Sequence, residues 1–233
     1  MTLLEARGLT RHFDGLKAVD GVDFDLVEGE IHALIGPNGA GKTTFVSLLS
    51  GRIPVQSGTI RFAGRDITRL PAHARVRAGI AYTFQITQIY AALSVFDNVA
   101  LAAQSRHSQH LTDDTMAALA RVGLDDRAEQ VAGTLSYGHQ RLLEVAMGLA
   151  LRPKLLILDE PTQGLAQGEI QTFKDIVRSV VPEATVLLIE HNMDVVMDLA
   201  ERITVLNFGE VLATGTPEAI RANKAVQTAY LGG

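Results

Sequence analysis

Nine consecutive residues carry the sharpest chemical signal in this chain: Gly36, Pro37, Asn38, Gly39, Ala40, Gly41, Lys42, Thr43 and Thr44. The first eight spell G-x-x-x-x-G-K-T directly after the strand pattern Ile31–Ile35. Three glycines let the backbone curl until its N–H groups converge on phosphate oxygens. A helix starting near Lys42 adds the positive end of its dipole to that cradle. Lys42 is then placed for the β- and γ-phosphates of a nucleotide, and the Thr43 hydroxyl for Mg²⁺.

A second group completes the chemistry. Leu155-Leu-Ile-Leu158 is a short apolar run that ends in Asp159 and Glu160. A carboxylate at the C-terminal edge of a parallel sheet sits where ligands bind in open α/β folds. Asp159 suits a contact to Mg²⁺, and Glu160 suits the orientation and deprotonation of an attacking water. Phosphoryl transfer needs little beyond positioning and charge stabilisation, so these groups suffice for it. His191 follows a similar run, Leu187-Leu-Ile-Glu190. Its spacing leaves two roles open, a satisfied structural histidine or a contact to the γ-phosphate.

The elements that must hold these residues are legible from periodicity. Short aliphatic runs alternating with helical patterns predict an α/β fold with parallel strands at Ile31–Ile35, Ile80–Phe84, Leu155–Leu158, Thr185–Ile189 and Ile203–Asn207. The continuous apolar runs predict strands covered on both faces. Leu3–Leu9, Val22–Leu26 and Thr59–Phe62 alternate less perfectly and predict a flanking antiparallel sheet. Between about Ile86 and Arg152 the pattern turns helical, near Val95–Gln104, Asp113–Val122 and Tyr137–Leu151, as expected of an insertion. Gln104–Asp114 predicts a polar surface connection. Its His107, His110, Asp113 and Asp114 read as a solvated loop in preference to a metal site.

With 233 residues, 47% of them hydrophobic, the chain can bury a sizeable core. A net charge of −5 with scattered Lys and Arg gives no nucleic-acid stripe. The absence of cysteine excludes disulfides and thiolate metal sites. Met1–Arg7 carries an acid and a base where a leader would be apolar, and no uncharged run approaches the length of a membrane span. The expectation is a chain that stays where it is made and meets a membrane only through a partner.

Together with Leu135-Ser136-Tyr137-Gly138-His139-Gln140, these motifs resemble the ABC ATPase family over essentially the whole chain. The resemblance implies a P-loop NTPase (RecA-like) α/β core, a flanking antiparallel β-subdomain and an inserted helical subdomain. Residues 1–85 and 153–233 would form the core and residues 86–152 the insertion. Leu135–Gln140 would be the signature, binding the γ-phosphate of ATP held by a second subunit. Gln85 would be the Q-loop residue that senses Mg²⁺ and γ-phosphate, and His191 the switch histidine. Phe13 would stack on adenine, with a core Phe beside the first strand as the lesser alternative. Gln163–Gln167 stands at the D-loop.

Two departures from the family pattern are visible. Tyr137 and His139 replace the second-position Gly and final Gln of the common signature, and Ala166 stands where the D-loop usually has an acid.

The implied partners are a second ABC ATPase, identical or related, membrane permease subunits at the cytoplasmic face of the inner membrane and, indirectly, a solute-binding protein. Leu135–Glu144, Leu188–Met193 and the tail Gly215–Gly232 resemble importers of the branched-chain amino-acid type, whose wording urea and amide importers share. A non-transport ABC ATPase with a soluble assembly partner is the alternative. The apolar Ile86–Leu93 follows the Q-loop, and Ile89 and Tyr90 are expected nearest a permease.

Overall fold

The hairpin that opens the chain turns on Asp14-Gly15, both at positive φ (44° and 90°), the backbone twist that suits a two-residue connection. It joins β1 (Thr2–Phe13) to β2 (Leu16–Val27). The computed structural model describes every residue except 84–87, 106–108, 182 and 232–233. β3 (Ile31–Ile35) leads through the glycine-rich loop into α1 (Lys42–Ser50), and β4 (Ser57–Phe62) and β5 (Arg65–Asp66) extend the antiparallel sheet in the order β2-β1-β4-β5. Leu4, Ala6, Leu9, Phe24, Leu26, Ile60 and Phe62 bury its inner face.

After α2 (Ala72–Ala78) come β6 (Ile80–Tyr82), α3 (Val95–Gln104), α4 (Leu111–Arg121), α5 (Tyr137–Ala150), β7 (Leu155–Asp159) and α6 (Gln167–Val180). The chain then adds β8 (Thr185–Ile189), α7 (Met193–Leu199), β9 (Arg202–Asn207), β10 (Glu210–Gly215), α8 (Pro217–Ala222) and α9 (Lys224–Leu231). Two compact units result: residues 1–75 with 185–233, and residues 76–184. The helical segment read over 86–152 falls inside the second unit, which also takes in β6, β7 and α6.

In the first unit β3 lies between β8 and β9, parallel to both, and β10 closes the edge antiparallel to β9. Every residue of β3 and β8 is buried, which is why both are dominated by aliphatic side chains. His32 is the polar residue inside β3. Its ring nitrogens meet Glu30 Oε1 at 3.0 Å and Thr204 Oγ1 at 2.8 Å, so the buried side chain is satisfied. The end of α1 is held by buried Arg75, which donates to the carbonyls of Leu48 (2.6 Å), Leu49 (2.8 Å), Leu70 (2.9 Å) and Thr68 (3.0 Å). Burial pushes the Arg75 pKa down to about 10, which leaves it charged at neutral pH, where a cation suits a helix C-terminus.

In the second unit β6 runs parallel to β7, and α3, α4 and α5 pack on one another. α4 begins at Leu111, so Leu111–Asp114 is a first helical turn and not part of a surface connection. Asp113 and Asp114 there oppose the positive helix end, and Asp114 also pairs with Arg152. Among the described residues no helix is long and apolar enough to cross a membrane.

Candidate nucleotide site

The loop after β3 is built by close backbone approach. A Cβ on Gly41 (φ 99°) would overlap the carbonyl oxygen of Ala18, so only glycine fits. The turn is closed by Ala40 N–H to Pro37 O (3.1 Å) and braced by Gly209 N–H to Ala40 O (3.0 Å). α1 starts at Lys42 with no side-chain cap and no acid in its first turn, whereas Ser94, Ser136, Asn192 and Thr216 cap α3, α5, α7 and α8. Orphan N–H groups at an uncapped helix start form an anion site. The Lys42 ammonium lies across the loop, donating to Gly36 O (2.6 Å) and Pro37 O (3.1 Å). Asn38, Gly39 and Thr43 are exposed, and Thr44 is half-buried.

Two further sequence-predicted residues belong to this first unit. Phe13 is 39% exposed at the hairpin end, so it is not a core residue, and the Arg11 guanidinium lies 4.7 Å from its ring centroid. His191 follows β8, whose Ile189 is in register with Leu34 of β3. The loop and the histidine therefore leave the same end of the sheet. Its side chain is 59% exposed. The turn that carries it is fixed by buried Glu190, whose Oε2 accepts from the N–H groups of His191 (2.9 Å) and Asn192 (3.1 Å).

The remaining residues lie in the second unit. Asp159 is buried at the end of β7 and accepts a hydrogen bond from Tyr82 Oη. Glu160 follows at φ 47°, a left-handed backbone that disfavours a side-chain-bearing residue and is frequent at functional positions. Ser136 caps α5, its Oγ accepting from His139 N–H at 3.3 Å, and stays exposed. Leu135 and Gly138 are buried, His139 and Gln140 half-buried, and Gln140 donates to Leu135 O at 3.1 Å. Gln85 lies outside the described residues.

In the D-loop segment Ala166 occupies the N-cap of α6. Glu169 Oε2 accepts from Ala166 N–H (2.9 Å), but alanine offers no oxygen in return, so half a capping box is formed. Sequence reasoning missed Tyr82, Arg11, Glu190 and Glu144. Only Tyr82 left a usable signal. Parallel strands β6 and β7 align Tyr82 with Ile157, two residues before Asp159 on the same face.

A glycine-rich loop running from a buried strand into an uncapped helix start is the phosphate-binding arrangement of a P-loop nucleotide-binding protein. Residues 19–163 match the ABC transporter family, and residues 210–233 match the branched-chain amino acid ATP-binding cassette transporter family. The chain is 40% identical over 253 residues to the high-affinity branched-chain amino acid transport ATP-binding protein BraF of Pseudomonas aeruginosa, covering 99% of this chain and 98% of the relative. It is 37% identical over 249 residues to LivG of Escherichia coli K12, of the same description, with 99% and 98% covered. Among solved structures, an ATP-binding cassette of an ABC transporter in its ADP conformation superposes with a TM-score of 0.91 at 26% identity, covering both chains fully. The chain belongs to the ABC transporter family and is an ATP-binding, ATP-hydrolysing subunit.

Proposed function

We propose that this subunit powers an importer of branched-chain amino acids. The observation that carries the solute class is the match of the tail, residues 210–233, to the branched-chain cassette family. ATP is the substrate. The loop amides of residues 36–41 and the start of α1 hold its phosphates, Lys42 exchanges its loop carbonyls for β- and γ-oxygens, and Phe13 stacks on adenine through the face opposite Arg11. Thr43, Gln85 and Asp159 are the residues that would hold Mg²⁺, which takes hard oxygen donors, and the buried carboxylate of Asp159, hydrogen-bonded by Tyr82, fits that role. Bound there, Mg²⁺ supplies charge neutralisation of the phosphates. Glu160 orients and deprotonates the attacking water, and His191 contacts the γ-phosphate.

Each ATP is completed by a second ATPase, a copy of this chain or a relative, through Ser136 and the amides at the start of α5. The dimer works beneath permease subunits at the cytoplasmic face of the cell membrane, with a solute-binding protein delivering the cargo. Ile89 and Tyr90 form the permease contact. Tyr90 is 59% exposed while its backbone is pinned by buried Asn98, which accepts from Tyr90 N–H (2.7 Å) and donates to Tyr90 O (3.1 Å). An outward ring on a fixed backbone suits a docking surface.

The test is uptake into vesicles reconstituted with the permease and second ATPase encoded beside this chain. ATP-driven accumulation of leucine, with urea and acetamide left outside, is expected. Uptake of an amide without leucine reassigns the solute, and no ATP-driven uptake of any solute removes the transport role.

A further inference from the structure

In the second unit the signature and the D-loop interlock reciprocally. Gly164 of the D-loop (φ 80°) is covered by the Tyr137 ring, since a Cβ built there would lie 2.8 Å from Tyr137 Cε1. Gly138 of the signature is covered from the other side, since a Cβ there would run into the Glu169 carboxylate. That same carboxylate holds Ala166 N–H. Tyr137 of the signature therefore fills the space at the D-loop's Gly164, and Glu169 in the first turn of α6, which follows the D-loop, fills the space at Gly138. A signature with glycine in place of Tyr137 cannot make the first of these contacts.

The chain of contacts continues past Tyr137. The Arg141 guanidinium lies 5.7 Å from its ring centroid, and Arg141 pairs with Glu144 at 2.8 Å, both buried on α5. Glu144 Oε1 in turn accepts the N–H of Gln88 at 2.9 Å. Tyr137 is itself 45% exposed, so the linkage runs from the ring's inner side into the buried Arg141–Glu144 pair, where close packing leaves little slack.

We propose that Tyr137 is a positioning residue that makes the signature and D-loop move as one piece, with Arg141 and Glu144 extending the linkage to the segment beginning at Gln88. This rests on the reading that Ser136 serves the ATP of a second subunit. Tyr137 touches no reacting atom in this role. It sets where Ser136 stands when the D-loop shifts.

Full-length Tyr137→Ala, Tyr137→Phe and Ser136→Arg proteins, each assayed with the second ATPase, test this. Tyr137→Ala is expected to lower kcat by up to about 10²-fold, the scale of an ångström-sized misplacement, with KM for ATP and thermal midpoint unchanged. Amide exchange at residues 164–166 should quicken in the same protein. Tyr137→Phe keeps the ring and should restore both the rate and the slow exchange. Unchanged kcat or unchanged exchange in Tyr137→Ala overturns the proposal, as does a joint fall of kcat, affinity and midpoint, which marks a role in folding alone. Ser136→Arg separates the layers. If it hydrolyses ATP at the full rate, the shared-site reading fails. If it is inactive while Tyr137→Ala is normal, only the interlock fails.

Discussion

Arg11 stacks on one face of Phe13, its guanidinium carbon 4.7 Å from the ring centroid, and leaves the other face of a 39% exposed aromatic to a second planar partner. A cation beneath the ring fixes the ring's tilt by attraction to its π-electrons. Phe13→Ala is therefore expected to weaken ATP binding by about 1–2 kcal/mol, while Phe13→Tyr is nearly neutral. Titration calorimetry with Mg-ATP checks this, and equal affinity in Phe13→Ala removes the residue from the site.

Hydrolysis separates from binding at two other residues. Glu160→Gln should retain ATP while slowing its hydrolysis by about 10² or more, the usual cost of losing general-base help. Lys42→Ala should instead weaken binding, because the loop loses its one ammonium. A colorimetric phosphate assay beside the same calorimetry distinguishes them. Wild-type turnover in Glu160→Gln would exclude the carboxylate from the mechanism.

The missing half of the α6 capping box gives a stability prediction. Ala166 already has the extended backbone of an N-cap (φ −70°, ψ 157°), so Ala166→Asn or Ala166→Ser needs only to supply an oxygen for the amide of residue 169. A gain of about 1 kcal/mol is expected from restoring such a cap. Denaturant unfolding measures it, and a lower midpoint would mean that the D-loop backbone rearranges around the new side chain.

Acid sensitivity should trace in part to Glu30. Burial pushes its carboxyl up, but the bonds from His32 and from Val27 N–H outweigh that and hold it below its ordinary value of 4.5. A carboxylate depressed in the folded state contributes stability that is present above its unfolded pKa. That contribution is lost as pH falls through the folded value. Thermal midpoints of wild type and Glu30→Gln should therefore differ most near neutral pH and converge below the ordinary carboxylate range. A gap that stays constant down to strong acid would show that the charge of Glu30 contributes nothing.

Much of this architecture could be read from the chain because the physics is local. The loop from Gly36 to Thr44 announces itself through its glycines, two of which, Gly36 and Gly41, leave no room for a Cβ, and β7 and β8 through the apolar runs Leu155–Leu158 and Val186–Ile189. The exposure of Phe13 could not be read, because an aromatic at a strand end is equally at home in a core. Tyr82 and Glu190 escaped for another reason. Tyr82 matters through Asp159, 77 residues away and brought near by folding, and Glu190 through a turn conformation of its own segment that residue types alone do not specify. The interlock of Tyr137 with Gly164 was visible only as an odd signature letter, since its meaning depends on which side chain fills which gap.

The left-handed backbone at Glu160 has a consequence for anyone engineering this protein. A residue with a Cβ at φ 47° costs of order 1 kcal/mol relative to one that tolerates that conformation. Glu160→Gly or Glu160→Asn should relieve that cost and remove the general base in one step, giving a hardier protein that does not turn over. A heat-challenge selection scored on folded protein would therefore enrich dead enzyme at this position. Only a screen that reads phosphate release, or transport itself, would keep the strained glutamate.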